Sequence, residues 1–499
     1  MSYYYNHSNI FNLQPRIRGF DGKDGPTGPT GPIGPTGSSG STGLNGSTSI
    51  LQGPTTIQNS NQNGITGQIT FDDNFLYISI DNNNWRKIEY FSTGYVQIGE
   101  TFTGGTSFIN FGKALQLSGN GSIIAIGTPN YDIENNGNTL YNIGKVNLYK
   151  YNEQSNAWNN YGQTISGETT NDRFGGNIAL SYDANILLIS SPYFNNNTGH
   201  VKIYEYNNNG EYLPKGSNSS LIGQNTNNYF GSSVSISDDG NIIAIASNGI
   251  NQVKIYKWNN NTNTWEQLAN TINSSSGTPL QIGNSIALSG NGRIIAIGTP
   301  NSGLNGIVQV YELNNDDTAW IQLGSNINGS QNYTNAGYNV SMSNDNFIVS
   351  FSENGADIPP GQPGNPSTYD RGLVRVVKYN QTTNTWEDST NIGNSIFAGV
   401  NANDGNNGLT TQISADGNMF IAGWPGADTS NGNNSGRVRI YKLLDNVNWT
   451  LLLEYIGSST GNELGIVSIS KDATTFAISE ANYNNAEGRV LIYKKNYTF

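Results

Sequence analysis

Residues 230–265 set the pattern that the rest of the chain follows. VSIS (234–237) alternates apolar and polar positions, DDG (238–240) supplies turn residues, and IIAIAS (242–247) is a short, nearly continuous apolar run. QVKIYKW (252–258) alternates again, with Val253 and Ile255 on one face and Lys254, Tyr256 and Trp258 on the other. A polar loop, NNNTNT, then leads to Trp265, which opens a fourth strand, WEQLAN. Four short antiparallel strands joined by tight turns are one blade of a β-propeller.

The unit is written repeatedly. Its aromatic-or-aliphatic-plus-glycine start recurs at Phe111-Gly112, Phe174-Gly175, Phe230-Gly231, Ile282-Gly283 and Leu464-Gly465, and in weaker form at Gly337 and Gly408. Its third strand recurs as GKVNLYKY (144–151), GHVKIYEY (199–206), GIVQVYEL (306–313), GLVRVVKY (372–379), GRVRIYKL (436–443) and GRVLIYKK (488–495). The aromatic residue of the fourth strand recurs at Trp158, Tyr212, Trp265, Trp320, Trp386 and Trp449. Periods of roughly 52–71 residues place the excess in the loop between strands two and three. The fold class is therefore all-β, with seven blades spanning 94–499. The seventh repeat stops before a fourth strand, and an orphan segment, YVQIGETFTG (95–104), matches the fourth-strand segments of other repeats. Residues 94–104 are thus predicted to close the ring by completing blade seven.

Upstream the pattern changes. Glycine occupies positions 19, 22, 25, 28, 31, 34, 37, 40, 43 and 46 without a miss. Gly19, Gly22, Gly25, Gly28, Gly31, Gly34, Gly37, Gly40, Gly43 and Gly46 thus define a collagen-like Gly-X-Y run over 19–48, because only glycine fits the axis where three polyproline-II chains meet. Its prolines sit only at X, so hydroxyproline is not implied. Such a run predicts a homotrimer with a stalk on the order of 90 Å long. The Tyr- and Asn-rich tail, 1–18, reads either as a flexible end or as an anchor to a protein of a particle surface. Residues 49–93 hold a connector and a small β unit, 64–92, which reads as a trimer clamp or as a β-linker leaning on the propeller.

Composition narrows the partners. The net charge is −12 with 12% charged residues, so the basic footprint of a nucleic-acid binder is missing. No run reaches the length of a membrane span, and the start does not read as a secretory signal. There is no cysteine, which removes disulfides and thiolate metal sites.

Catalytic chemistry is not evident locally. Asp238, Asp239, Asp345, Asp416 and Asp472 recur at strand turns and read as turn residues. His200 stands where Lys145, Arg437 and Arg489 stand in other repeats, so it reads as a register position. No enzyme is expected, with a propeller hydrolase as the third-ranked alternative. Asp132, Glu134 and Asn136 have the alternate spacing of a D-x-[DN]-x-[DN]-G calcium loop but lack the following bidentate acid. They are expected to form a solvated loop, with calcium as the alternative and no other cofactor.

FGGNIALSYDANILLISSPYFNNNTGHVKIYEY and IGNSIALSGNGRIIAIGTPNSGLNGIVQVYEL, followed by W-x-Q-x-G-x-x-I-x-G at 320–329, resemble the FG-GAP-type propeller family, the fold of integrin α heads. The departure from that family is the lack of good calcium loops. The order of collagen stalk, ITFDDNFLYISIDNNNWRKI unit and globular head resembles surface fibre proteins of giant DNA viruses. GPTGPTGPIGPTG is also similar to collagen-like glycoproteins of bacterial spore coats. These resemblances imply a structural fibre on a virion, or alternatively a spore, whose heads attach to a host glycan or receptor. The rival expectation is a spacer or decoration protein with lattice contacts and no receptor.

Overall fold

The second strand of each repeat is the hydrophobic centre around which a blade forms. IIAIGT (Ile123–Thr128), ILLISS (Ile186–Ser191) and MFIAGW (Met419–Trp424) are buried at every position, since each is flanked by strands within its blade and covered by a blade on either side. First and third strands alternate instead, as in Lys145–Asn152, where Val146 and Leu148 point inward. The computed structural model describes residues 94–496, apart from 136, 208, 274–280, 304, 345–346, 357–371, 389–395, 398–408 and 445–447, together with strand segments of the first 93 residues.

Seven antiparallel sheets result, with first strands at Ala114–Leu117, Asn177–Leu180, Phe230–Ile236, Ser285–Leu288, Ala336–Met342, Thr410–Ile413 and Leu464–Ile469. The chain is a seven-bladed β-propeller, and we number the blades 1 to 7 in that order. In most blades the outer strand is split. In blade 4, Trp320–Gln322 and Ile327–Asn328 both pair with Ile307–Leu313, with Gly324 at φ +71° in the break. In blade 7 the outer strand comes from the other end of the domain. Tyr95–Gln97 and Phe102–Thr103 pair with Arg489–Lys495, with Gly99 at φ +66° between them.

The cores lie between blades rather than within them. The described residues form seven buried clusters, one at each junction. The junction of blades 7 and 1 joins Ile98 and Phe102 of the closing segment to Leu115, Ile124, Ile126 and Trp158 of blade 1 and Val490 and Ile492 of blade 7. Trp158 donates its indole N–H to the Ile98 carbonyl (3.2 Å), and Trp320 and Trp386 do the same to Leu268 (3.3 Å) and Leu323 (2.8 Å) of the preceding blade. The recurrent fourth-strand tryptophan is thus a bolt between outer strands. Trp265 and Trp449 are placed alike, without an indole partner among the described residues.

A separate unit of 1–94 and 496–499 contains a five-stranded sheet in the order Ile17–Arg18, Asn84–Glu89, Phe75–Asp81, Ile69–Phe71, Leu51–Gln52. Its last pair is parallel. Two of its strands lie outside 64–92 and are two residues long, too short to show any periodicity in the sequence. The Gly-X-Y glycines Gly19 to Gly46 lie outside the described residues.

The closing segment should carry ring stability. Phe102→Ala removes a ring packed 4.5 Å from Tyr149 and is expected to cost about 3 kcal/mol. Val96→Ala, at an exposed position of the same segment, should stay within about 0.5 kcal/mol of wild type. Urea unfolding of both variants checks this, and equal effects would contradict it.

Candidate functional site

A serine two residues before an Asp or Asn shapes the turn between the first two strands. Ser237 donates to Asp239 Oδ1 (2.6 Å) and accepts the Ile242 N–H (3.0 Å), while Asp239 caps the Asn241 N–H (3.0 Å). The same arrangement holds at Ser118, Ser181, Ser289, Ser414 and Ser470. Asp239, Asp416 and Asp472 are therefore turn residues.

The residue between serine and Asp or Asn does something else. Gly119, Tyr182, Asp238, Gly290, Asn344, Ala415 and Lys471, one per blade, form a backbone girdle at one mouth of the channel. Six of the seven N–H groups bond to the carbonyl of the next blade at 2.7–3.0 Å, and Lys471 returns to Gly119. Among the described residues only the link between blades 4 and 5 is missing.

Asp238 therefore departs from the sequence reading of it as a turn residue. Lys471 of blade 7 bonds to Asp238 of blade 3 and to Asn344 Oδ1 of blade 5 (2.8 Å), and Asn344 donates to Asp238 Oδ2 (2.7 Å). A Cβ at Gly290 would sit 2.6 Å from Asp238 Oδ2, and one at Gly119 would sit 2.1 Å from the Tyr182 ring, so glycine makes room for both groups. The clasp ties blades 3, 5 and 7 together across this mouth. The clasp's charged and polar groups satisfy one another, which marks it as a brace for the girdle.

The opposite face is built differently. Before each Phe-Gly start, two residues adopt left-handed backbone on either side of a buried position. In blade 2 these are Asn171 (φ 66°) and Arg173 (φ 49°) around Asp172, and leading into blade 3 they are Asn227 (φ 60°) and Tyr229 (φ 51°) around Asn228. The residue directly before the start is Asn110, Arg173, Tyr229, Gln281, Asn335 or Glu463, all with positive φ. Each of these blades thus presents one variable side chain here.

At blades 1 to 3 this face opens into a cleft of about 350 Å³ that includes Asn110, Lys113, Asn130, Arg173, Tyr193 and Tyr229. A neighbouring hollow of about 650 Å³ shares Arg173 and Tyr193 and adds Asn195, Asn196, Asn197 and Asn227. The Arg173 guanidinium lies 4.7 Å from the centre of the Tyr193 ring, and Tyr193 meets Tyr229 edge-on at 5.9 Å. The FNNNTG segment fixes this arrangement. Asn195, Asn196 and Asn197 form a left-handed turn (φ 46°, 56° and 62°), which asparagine tolerates better than other chiral residues. Carbonyls of that turn accept the N–H groups of Asn227 (3.3 Å) and Tyr229 (2.8 Å). This turn is the support of the aromatic pair.

The residues named from the sequence lie elsewhere. Asp132 accepts the Asn142 N–H (2.7 Å) and Glu134 accepts the Thr139 hydroxyl (2.7 Å), flanking and within a hairpin of Ile133–Asn135 and Asn138–Leu140. Asn136 is outside the described residues. No cluster of three or more His, Asp or Glu side chains suited to a metal occurs among the described residues. His200 is buried beside Phe194 (4.2 Å between rings), and burial, with Lys202 nearby, lowers its pKa to about 4.

No protein-family model matches the chain, and no curated protein matches it. Among solved structures it is similar to hydrazine synthase of Kuenenia stuttgartiensis, with 13% identity over 80% of this chain and 98% of that one and a TM-score of 0.49. It is also similar to a "putative 6-phosphogluconolactonase" from Bacteroides uniformis (11% identity, 70% of this chain and 87% of that one, TM-score 0.47). Its counterpart from Bacteroides fragilis gives 10% identity, 70% and 85% coverage and a TM-score of 0.45. Likenesses this distant name no reaction for this chain. The expectation that it is no enzyme is withdrawn: two of these neighbours bear enzyme names, and a missing local motif excludes no reaction. The physical reason lies in how a propeller assembles a site. Lys471 and Asp238 meet although 233 residues apart, so a search for local catalytic motifs cannot rule catalysis out.

Two outcomes follow from these groups. In a double-mutant cycle, Asp238→Ala and Lys471→Ala should couple by about 1 kcal/mol, the modest value set by their partial exposure, and additive effects would contradict the clasp. His200 stays neutral when folded but binds a proton near pH 6.5 when unfolded, so the unfolded state holds more protons between those values. Its contribution, up to about 3 kcal/mol, is present above pH 6.5 and lost as pH falls toward 4. Urea midpoints across that range should fall more shallowly for His200→Gln than for wild type.

Proposed function

We propose that the chain is a surface-fibre protein of a virion, a trimer joined through its Gly-X-Y run whose propeller heads attach to glycans. The observation that supports attachment most is the cleft at blades 1 to 3. Its volume of about 350 Å³ suits a small ligand of one or two sugar rings. Tyr193, 42% exposed, offers an apolar ring face, and the amide of Asn248 and the Oδ1 of Asn130 line the same cleft as polar groups for hydroxyls, while the Asn110 amide is taken up by Ala481, Asn482 and Asn130. The girdle and the left-handed asparagine turn hold these groups on a rigid frame, which limits the ordering cost of binding. Three heads on one stalk multiply weak sites through valency. The tail, 1–18, would join the fibre to a protein of the particle surface, with a spore coat as the alternative setting.

A glycan array probed with full-length protein tests this reading. Wild type should bind a defined set of glycans, and Tyr193→Ala should weaken that binding about tenfold, the scale of one lost aromatic contact. Binding to no glycan, or binding unchanged in Tyr193→Ala, would contradict it.

A further inference from the structure

We infer that the cleft at blades 1 to 3 takes an acidic sugar, with its carboxylate on Arg173; this rests on the glycan reading above and adds the class of ligand. Arg293, Arg375, Arg437, Arg439 and Arg489 each pair with a carboxylate. Arg173 is the one arginine with described surroundings that does not, and the partner of its guanidinium is the Tyr193 ring. Among the described residues, neither part of the cleft includes an Asp or Glu side chain, although the chain as a whole carries a net charge of −12. The local charge is therefore opposite to that of the molecule.

The backbone does not explain the choice of arginine. Position 173 has φ +49°, and the equivalent positions of blades 1 and 5 hold Asn110 and Asn335 at φ 52° and 55°. Asparagine tolerates this region better than arginine, so Arg173 occupies a site where its side chain, rather than its backbone, is the gain. A guanidinium with one face on an aromatic ring keeps its edge N–H groups free to grip a carboxylate in two parallel bonds. Lys113 lies in the same cleft, but its charge is partly committed. Burial raises the pKa of the Glu463 carboxyl, and the Lys113 charge opposes that rise. Arg173 is thus the principal anion-binding group and Lys113 an auxiliary one. Tyr193 and Tyr229 remain for the apolar face of the sugar ring.

The test uses full-length protein titrated with N-acetylneuraminic acid and with glucuronic acid, each compared with its methyl ester, and followed by sugar NMR. The ester keeps the ring and removes the charge. For at least one of the two sugars, the acid should bind about tenfold tighter than its ester, a difference that shrinks as salt rises from about 50 to 500 mM. Arg173→Asn, a change that the equivalent positions already accommodate, should erase the preference of acid over ester while thermal unfolding stays unchanged. Equal binding of acid and ester by wild type, or a preference that survives in Arg173→Asn, would overturn this inference and leave the glycan reading intact. Failure of both acids to bind, with neutral glycans bound on the array, would also overturn it alone. If no glycan of any kind is bound, both readings fall.

Discussion

Closure is the constraint on which this fold depends. Seven blades bury their apolar surface only against one another, so the last must find the first, and blade 7 arrives one strand short. Tyr95–Gln97 and Phe102–Thr103 supply that strand, and the buried cluster at this junction includes residues from both ends of the domain. Tyr95 adds a second tie, because its hydroxyl donates to the Ala473 carbonyl (2.6 Å) and its ring lies 4.9 Å from Phe476. Were this strand to peel away, blade 7 would expose a sheet edge and the core between blades 7 and 1 would open to water.

A closed ring poses a second problem, since the first strand of each blade faces the channel with unpaired backbone groups. Neighbouring blades satisfy them. Ser233 and Ser235 accept the N–H groups of Ile286 (3.2 Å) and Leu288 (2.9 Å), Ser341 accepts that of Ile413 (3.0 Å), and Ser468 accepts that of Leu117 (3.0 Å). The serines that alternate along these strands are thus part of the ring's adhesion. Once the repeat has met its structural needs, little freedom remains. It is confined to two register positions, the girdle residue after the turn serine and the left-handed residue before the Phe-Gly start. Arg173, Tyr229, Asp238 and Lys471 all stand at one of these.

This explains what could be read in the sequence. The blades are legible because alternation, apolar second strands and turn residues are local signals that repeat. The fourth-strand tryptophans stand out for the same reason. The cleft is not legible, because Lys113, Arg173, Tyr193 and Tyr229 come from three blades and share no motif. A register comparison of the residues before Phe111, Phe174 and Phe230 shows the variable position, though not that Tyr193 folds over to meet it. Asp238 reads as a turn acid because Asp239 beside it is one. Only its alignment with Lys471, each directly after a turn serine, separates the two. The strands Ile17–Arg18 and Leu51–Gln52 are invisible in the sequence, since two residues carry no period.

The central claim is that binding occurs at the cleft of blades 1 to 3 and not at the clasped mouth of the channel. Backbone hydrogen exchange of the full-length protein, with and without a saturating concentration of a glycan that it binds, tests it most directly. The account predicts slowed exchange at 110–113, 171–176, 193–197 and 227–232, with residues 182, 238, 344 and 471 unchanged. Protection centred on those four girdle residues, with the cleft segments unaffected, would contradict it.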